Sequence, residues 1–109
     1  MPSYSKGDVV LVKYPFSNAS DFKVRPAIAV SAHHISQDIF VVPLTSRTDN
    51  LLVGEFLMKH WKEAGLNVAS AVKRGLFTIH QRLVIKKTGS VSQQDADELE
   101  RSLRTCLGL

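Results

Sequence analysis

Two polar clusters that could bind a phosphate stand at the ends of apolar segments of the chain. In the first, Arg25 is followed by Pro26 and an apolar run, and Pro26 excludes a helix and favours an extended Arg25. In the second, an apolar run at residues 39–44 is followed by Thr45, Ser46 and Arg47. A guanidinium fork matches phosphate oxygens, and a hydroxyl can donate to a further oxygen. If the two runs pair as strands, we expect the clusters to meet at one rim of a sheet.

A basic bias accompanies this possible phosphate site. The chain has a formal net charge of +4. The stretch from residue 73 to residue 87 has no carboxylate and contains Lys73, Arg74, His80, Arg82, Lys86 and Lys87. It is either the solvated basic face of a sheet or a track for the phosphate backbone of a nucleic acid. The sequence leaves both interpretations open.

The elements that must position these residues are short strands. Apolar runs predict strands at residues 9–14, 26–32, 39–45, 52–58, 67–72 and 82–87, whereas residues 75–81 are ambiguous. Pro43 within the third strand indicates an edge position or a bulge. Residues 59–65 are expected to form one helical turn closed by Gly65. Thr88 and Gly89 are expected to form a turn after the last strand.

One helix follows the strands and completes the predicted fold. Ser92 with Asp95 three residues later resembles a capping box, apolar residues then recur at helical spacing, and Gly108 ends the pattern. The order of elements predicts a mainly β (α+β) fold, in which a small, strongly bent antiparallel sheet or partial barrel carries one C-terminal helix.

Length and composition favour one domain in a reducing compartment. A chain of 109 residues can form a single core, so we expect residues 1–109 to be one domain. No apolar run is long enough to cross a bilayer and the N-terminus has no signal-peptide segment, so no membrane partner is expected. The single cysteine, Cys106, cannot form an internal disulfide. We therefore expect a cytoplasmic protein.

Several kinds of catalytic site have no support in the sequence. One cysteine and four histidines lack the paired spacing of metal ligands, so neither a metal nor a cofactor is expected. A glycine-rich phosphate loop and a Gly-x-Ser-x-Gly elbow are also missing. The remaining arginines, hydroxyls and carboxylates suit attack of an RNA 2′-hydroxyl on its own adjacent phosphate, because the substrate then supplies the nucleophile. The alternative for Arg25 is a surface ion pair with Asp21 or Asp8.

Taken in order, short motifs along nearly the whole chain resemble the PemK/MazF family of toxins from bacterial toxin–antitoxin pairs. They are Gly-Asp-Val-Val at 7–10, Arg-Pro at 25–26, Val-Pro-Leu-Thr-Ser at 42–46, Gly-Leu at 65–66, Gln-Arg-Leu at 81–83, Gly-Ser-Val at 89–91 and Leu-Gly-Leu at 107–109. The resemblance implies an SH3-like barrel with a C-terminal helix that works as a homodimer. It also implies metal-independent, sequence-selective cleavage of single-stranded RNA, and inhibition by a cognate antitoxin protein.

The resemblance also implies roles for individual residues. Arg25 matches the catalytic arginine of the family and Thr45 the hydroxyl residue after the strand proline, with Ser46 beside it. The loop at residues 15–24 matches one that gates the site, and Asp21 is its candidate for the acidic role. Because arginine gives up its proton reluctantly, Asp21 and His80 are both candidates for proton transfer. The residues expected to bind RNA are Lys23, Arg47, Lys73, Arg74, His80 and Arg82.

Two other functions remain open. Related gyrase-inhibiting toxins share the fold and the dimer but act through an aromatic-containing C-terminal tail. This chain ends in Cys-Leu-Gly-Leu and has its only tryptophan at position 61, which disfavours that function. A small nucleic-acid-binding barrel without catalysis would fit the basic stretch equally well.

Overall fold

Strands dominate the part of the chain that the computed structural model describes, which comprises residues 4–15, 22–32 and 35–109. The strands are β1 (Asp8–Pro15), β2 (Phe22–Ala29), β3 (Asp38–Thr45), β4 (Phe56–Leu57), β5 (Ala71–Val72), β6 (Phe77–His80) and β7 (Val84–Ser90). A 3₁₀ turn at Gln81–Leu83 precedes β7, and helix α1 (Gln93–Leu107) follows it. The predicted class, mainly antiparallel β with one C-terminal helix, is confirmed.

The strands form a single antiparallel sheet in the order β4-β5-β3-β2-β1-β7, with β6 paired to β3 beside β5. The strands predicted at 9–14 and 39–45 correspond to β1 and β3. The second strand starts four residues earlier than predicted, because β2 stays in register with β1 from Pro15–Phe22 to Val9–Ile28. Arg25 therefore lies within a strand, in the extended conformation that the following proline favours.

Four local predictions in the second half of the chain are wrong. The strands expected at 52–58 and 67–72 shrink to the two-residue strands β4 and β5. Residues 52–55 instead form a closed turn, in which Glu55 N–H donates to the Leu52 carbonyl and its carboxylate accepts the Leu52 N–H. The ambiguous stretch forms β6, and the 3₁₀ turn delays the next strand to Val84. Thr88 and Gly89 continue β7 because both neighbour β1 across the sheet.

Pro43 lies in a central strand and in regular register with β2, whereas the sequence predicted an edge position or a bulge. β3 pairs with β2 on one side and with β6 and then β5 on the other. The Pro43 carbonyl accepts the Lys73 N–H next to β5, so its missing N–H falls where the pairing with β6 ends and that with β5 begins. The switch of partners is the reason that a proline is tolerated there.

The sheet buries side chains on both faces. One cluster is centred on Ile28, Val42 and Leu44, and α1 packs on it through Leu99. The burial of a leucine of this kind stabilises the fold by about 2 kcal/mol. The other cluster contains Val10, Val12, Ala27, Ile39 and Val41.

The helix starts and ends where the sequence predicts. The Ser92 hydroxyl accepts the Asp95 N–H at 3.2 Å, and Gly108 is the C-cap. The Asp95 carboxylate does not close a capping box, because it accepts the N–H groups of Lys59 and His60, each at 2.9 Å. This buried carboxylate ties the helix to the turn at residues 59–65. None of the helices in the described ranges is long and apolar enough to cross a membrane.

Two glycines bring the turn at residues 59–65 against β7. Gly65 closes this turn as predicted, with a φ of +82°, and a Cβ there would overlap the Thr88 carbonyl oxygen. A Cβ at Gly89 would lie 2.6 Å from the Ala64 carbonyl atoms. The Thr88 hydroxyl lies 3.1 Å from the Ala64 carbonyl oxygen and donates to it. The backbone of residues 64–65 thus packs directly on the backbone of residues 88–89 in β7. This contact brings the segment that follows β4 to β7, at the other end of the strand order.

We expect Gly65→Ala and Gly89→Ala each to lower the free energy of unfolding by roughly 2–4 kcal/mol, because the new methyl group displaces backbone that no rotamer change can move. Urea denaturation measures the change. Gly75→Ala is the matched control, since a Cβ there would make ordinary contacts no closer than 3.7 Å. Equal stability of the Gly65→Ala protein and the control would contradict this account of the closure.

Candidate functional site

A cleft opens where β2 and β3 separate. The β2–β3 ladder ends at the Ala27–Pro43 pair. In an antiparallel ladder every second pair of opposite residues exchanges hydrogen bonds. Val30 N–H donates to the Phe40 carbonyl, so the hydrogen-bonded pairs are 30–40, then 28–42, and the next would be Pro26–Leu44. Pro26 has no N–H to donate, so the ladder stops short of this pair, while β3 continues to Thr45 paired with β5 on its other edge. The missing donor is the local reason for the gap.

The cleft beside this gap, here called the first cleft, contains four of the residues that the sequence singles out. It has a volume of about 730 Å³, and Arg25 of β2 lines it together with Thr45, Ser46 and Arg47 at the end of β3. The register of the ladder, if continued, would place Arg25 opposite Thr45. The predicted meeting of the two polar clusters is therefore found, across a gap between two strands.

The far walls of the first cleft come from distant parts of the chain. One wall is the segment after the closing turn, including Asn67 and Ser70, and the other is β7 with Lys86, Lys87 and Thr88. Among the described residues that line it there are four cationic side chains, Arg25, Arg47, Lys86 and Lys87, and no carboxylate. Such a surface attracts a polyanion.

Thr45 is fixed by its own backbone turn. Its Oγ1 accepts the N–H of Arg47 at 3.1 Å, and the side chain is half-buried. A hydroxyl that accepts one hydrogen bond still has its own proton to donate. Thr45 can therefore act as a positioned donor toward an oxygen in the first cleft.

Arg25 is exposed at the rim of the first cleft. Its Nη1 donates to the Val24 carbonyl at 3.2 Å, which uses one of the five N–H donors of the guanidinium. Asp8, one of the two alternative partners considered from the sequence, pairs with Lys87 Nζ at 3.1 Å. The other, Asp21, lies outside the described residues, as do residues 16–20 of the predicted gating loop, whereas residues 22–24 of that loop belong to β2.

The remaining residues predicted to bind RNA are spread over the molecule. Lys23 lies two residues before Arg25 on β2, and the Arg74 side chain lies against Gly54. His80 pairs with Asp38 at the start of β3, whereas Thr45 ends that strand, which places them roughly 23 Å apart along β3. Arg82 follows His80, and its N–H donates to the His80 ring. In the described part of the chain, no three His, Cys, Asp or Glu side chains converge on a possible metal site.

Lys86 and Lys87 were not singled out for the site by the sequence, although both belong to the basic stretch. Leu11 explains their position, because on β1 it pairs with Pro26 on one side and with Lys86 on the other. The only signal in the sequence is the absence of carboxylates around them. The strand order that brings β7 next to β1 is a long-range property.

A second cleft of about 450 Å³ adjoins the first. Thr45 and Arg47 line both of them. The other residues that line the second cleft are Asp49, Asn50, Leu51, Leu52, Glu55 and Lys73. The hydrogen bond from the Leu52 N–H, assisted by the Arg74 N–H and the charge of Lys73, lowers the pKa of Glu55 against the opposing effect of its desolvation. The carboxylate therefore stays ionised at neutral pH.

Solved structures with the same fold come from several bacteria. An endoribonuclease in complex with its cognate antitoxin, from a mycobacterial species, is 18% identical over 100% of this chain and 97% of that chain, with a TM-score of 0.74. MazE-MazF (Form-II) from Deinococcus radiodurans is 16% identical over 100% and 99%, with a TM-score of 0.80. The Mycobacterium tuberculosis toxin MazF-mt6 is 17% identical over 92% and 97%, with a TM-score of 0.70. At these identities the likeness concerns the fold.

Membership of a family rests on a different comparison. No curated protein matches the chain significantly. A family model described as "PemK-like, MazF-like toxin of type II toxin-antitoxin system" matches residues 5–107. This chain therefore belongs to the PemK/MazF family of toxins from type II toxin–antitoxin systems.

Proposed function

We propose that this protein is an endoribonuclease toxin that cleaves single-stranded RNA at selected sequences without a metal ion. The observation that carries the proposal is that the Arg25 guanidinium and the Thr45 hydroxyl line one cationic cleft. Membership of the toxin family and the fold shared with proteins titled endoribonuclease support it.

The proposed reaction is an internal transfer of the phosphate. The 2′-oxygen of the ribose forms a bond to the adjacent phosphorus, and the bond from phosphorus to the 5′-oxygen of the next nucleotide breaks. One proton leaves the 2′-hydroxyl and one is delivered to the departing 5′-oxygen. The products are a 2′,3′-cyclic phosphate and a 5′-hydroxyl. Because the substrate supplies the nucleophile, the protein has to stabilise charge and move two protons.

Arg25 and Thr45 stabilise the negative charge in this proposal. The guanidinium donates to two non-bridging phosphate oxygens as the charge on them grows. Thr45, with its Oγ1 held by the Arg47 N–H, donates to one of the same oxygens. Ser46, next to it in the first cleft, is a further hydroxyl donor. Arg25 and Thr45 both lie on strand backbone, which lowers the entropic cost of orienting these two donors.

Asp21 is the proposed residue for proton transfer. Two candidates follow from the sequence, Asp21 and His80. His80 lies beside the start of β3, far along the strand from Thr45, and its ring accepts a backbone N–H. Asp21 precedes Arg25 by four residues in the chain and is the candidate that remains. A carboxylate is also a better proton acceptor than the guanidinium of Arg25.

The proposed function includes two protein partners. Two of the similar solved structures contain a toxin with an antitoxin, and we propose a cognate antitoxin that covers the first cleft of this protein. We also propose a homodimer. Phe40 of β3 and Phe77 of β6 are about half exposed and offer apolar surface that a second copy would bury. Light scattering should then give the mass of two chains in solution.

Arg25→Ala should abolish RNA cleavage, because it removes the positive charge that stabilises the reacting phosphate. It should leave the fold intact, because the side chain is exposed. Thr45→Ala should lower the rate by roughly tenfold to a thousandfold, the effect of one donor to the developing charge. Cleavage of a labelled RNA pool in EDTA measures both, with Arg104→Ala on the exposed face of α1 as the control. Full activity of Arg25→Ala would refute the proposed mechanism.

The same preparations distinguish the other two functions. Inhibition of DNA gyrase on supercoiled plasmid, with no cleavage of RNA, would identify a gyrase-inhibiting toxin. Salt-dependent RNA binding without cleavage would identify a binding module.

Lys86→Gln should weaken RNA binding uniformly across sequences and reduce the slope of log Kd against log salt by about one, as expected for one phosphate contact. Fluorescence anisotropy at several salt concentrations, with an RNA that has a 2′-deoxy group at the cleavage position, measures the effect. Lys6→Gln is the charge-matched control, because Lys6 lines neither cleft. An unchanged slope for Lys86→Gln would remove β7 from the binding surface.

A further inference from the structure

We propose that the second cleft binds a guanine base of the RNA, next to the phosphate that is cut, and that the Glu55 carboxylate recognises its N1–H and N2–H groups. The proposal rests on the proposed RNA cleavage and adds the identity of one base to it. Apart from Thr45 and Arg47, the residues that line this cleft have no role in the proposed cleavage reaction.

The two clefts share two of the residues that would bind the reacting phosphate. Thr45 and Arg47 line both. An RNA that places a phosphate between Arg25 and Thr45 therefore places one of the two flanking nucleotides at the entrance of the second cleft. Single-stranded RNA exposes the edges of its bases, so a protein can read them in such a position.

The composition of the second cleft fits a base better than a phosphate. Its two carboxylates, Asp49 and Glu55, offset the charges of its two cations, whereas the first cleft has four cations and no carboxylate among its described lining residues, so a phosphate favours the first cleft. Leu51 and Leu52 contribute apolar surface against which the flat face of a base can pack. Apolar walls with a few fixed polar groups are typical of a pocket for a small planar group.

Glu55 is held as a rigid pair of acceptors. Oε1 accepts the Leu52 N–H at 2.8 Å and Oε2 accepts the Arg74 N–H at 3.3 Å. Each carboxylate oxygen has a second lone pair, so one acceptor site remains on each. The lowered pKa of Glu55 keeps both oxygens unprotonated at neutral pH. The side chain is only partly buried and can be reached from the cleft.

Guanine is the base with two adjacent donors on its pairing edge. Its N1–H and N2–H lie side by side and match the two oxygens of one carboxylate. Adenine and cytosine each place an acceptor beside their amino group, and uracil has one N–H between two carbonyls. Lys73, in the same cleft, is a cation that can donate to the guanine O6. A carboxylate that accepts both donors thus selects guanine over the other three bases.

The first experiment varies the RNA and leaves the protein unchanged. Cleavage of a random RNA pool identifies the positions that flank the cut. At one of them guanosine should exceed adenosine in kcat/KM by roughly tenfold to a hundredfold, the discrimination typical of one bidentate contact to a base. Inosine, which lacks the N2 amino group, should lose much of this advantage. Cleavage with no preference for guanine at either flanking position would overturn the proposal.

The second experiment varies the protein. Glu55→Gln should reduce the ratio of kcat/KM for guanosine over adenosine at that position by roughly tenfold or more, because the amide offers one acceptor and one donor. The ratio does not depend on the fraction of folded protein. Glu63→Gln, an exposed carboxylate outside both clefts, is the matched control. A ratio in Glu55→Gln equal to that of the control would overturn the role of Glu55.

Failure of the endoribonuclease proposal can be distinguished from failure of the guanine proposal. If the protein cuts no RNA, the endoribonuclease proposal fails. The base pocket is then tested by binding alone, with short RNAs that differ only by guanosine or inosine. Equal dissociation constants for the two RNAs would overturn it as well.

Discussion

A single absent hydrogen-bond donor organises the functional end of this protein. β2 and β3 pair until Ala27 and Pro43, and the next bond in the ladder would need an N–H from Pro26. Because Pro26 has none, the ladder between β2 and β3 ends there, and the end of β3 stays paired only with β5 on its opposite edge. Arg25 and Thr45, on the unpaired ends of the two strands, then line one cleft. The proline that holds Arg25 extended thus also opens the space into which it reaches.

The contact between backbones at Gly65 and Gly89 supplies the rest of the first cleft. It holds the segment that follows the closing turn against β7, and these two elements form the walls opposite Arg25. Side chains at these glycines would push the walls apart. The placement of Lys86 and Lys87 in the first cleft therefore depends on an uncharged contact between the backbones at Gly65 and Gly89. The first cleft therefore depends on the fold as a whole, because its walls come from β2, the end of β3, β7 and the segment before β5.

The two adjoining clefts differ in their balance of charge. The first combines cations with hydroxyl donors and has no carboxylate among its described lining residues, whereas the second combines two carboxylates with Arg47, Lys73 and two leucines. Thr45 and Arg47 lie between them. In the proposed function this arrangement separates the chemistry at the phosphate, which is the same for every RNA, from the recognition of a base. The turn at residues 52–55, predicted as a strand from its apolar residues, is what presents Glu55 to the second cleft.

Local chemistry in the sequence determined the features that depend on near neighbours. The N-cap at Ser92, the end of the helix at Gly108, the extended Arg25 and the polar end of β3 all follow from residues a few positions apart. The tertiary structure alone decided which of the basic residues share a cleft. His80 and Arg82 lie close to Lys86 in the chain, yet β6 places His80 at the far end of β3, whereas β7 places Lys86 beside Leu11. The physical reason is that pairing between distant strands depends on the closing of the whole sheet, and no short stretch of sequence records it.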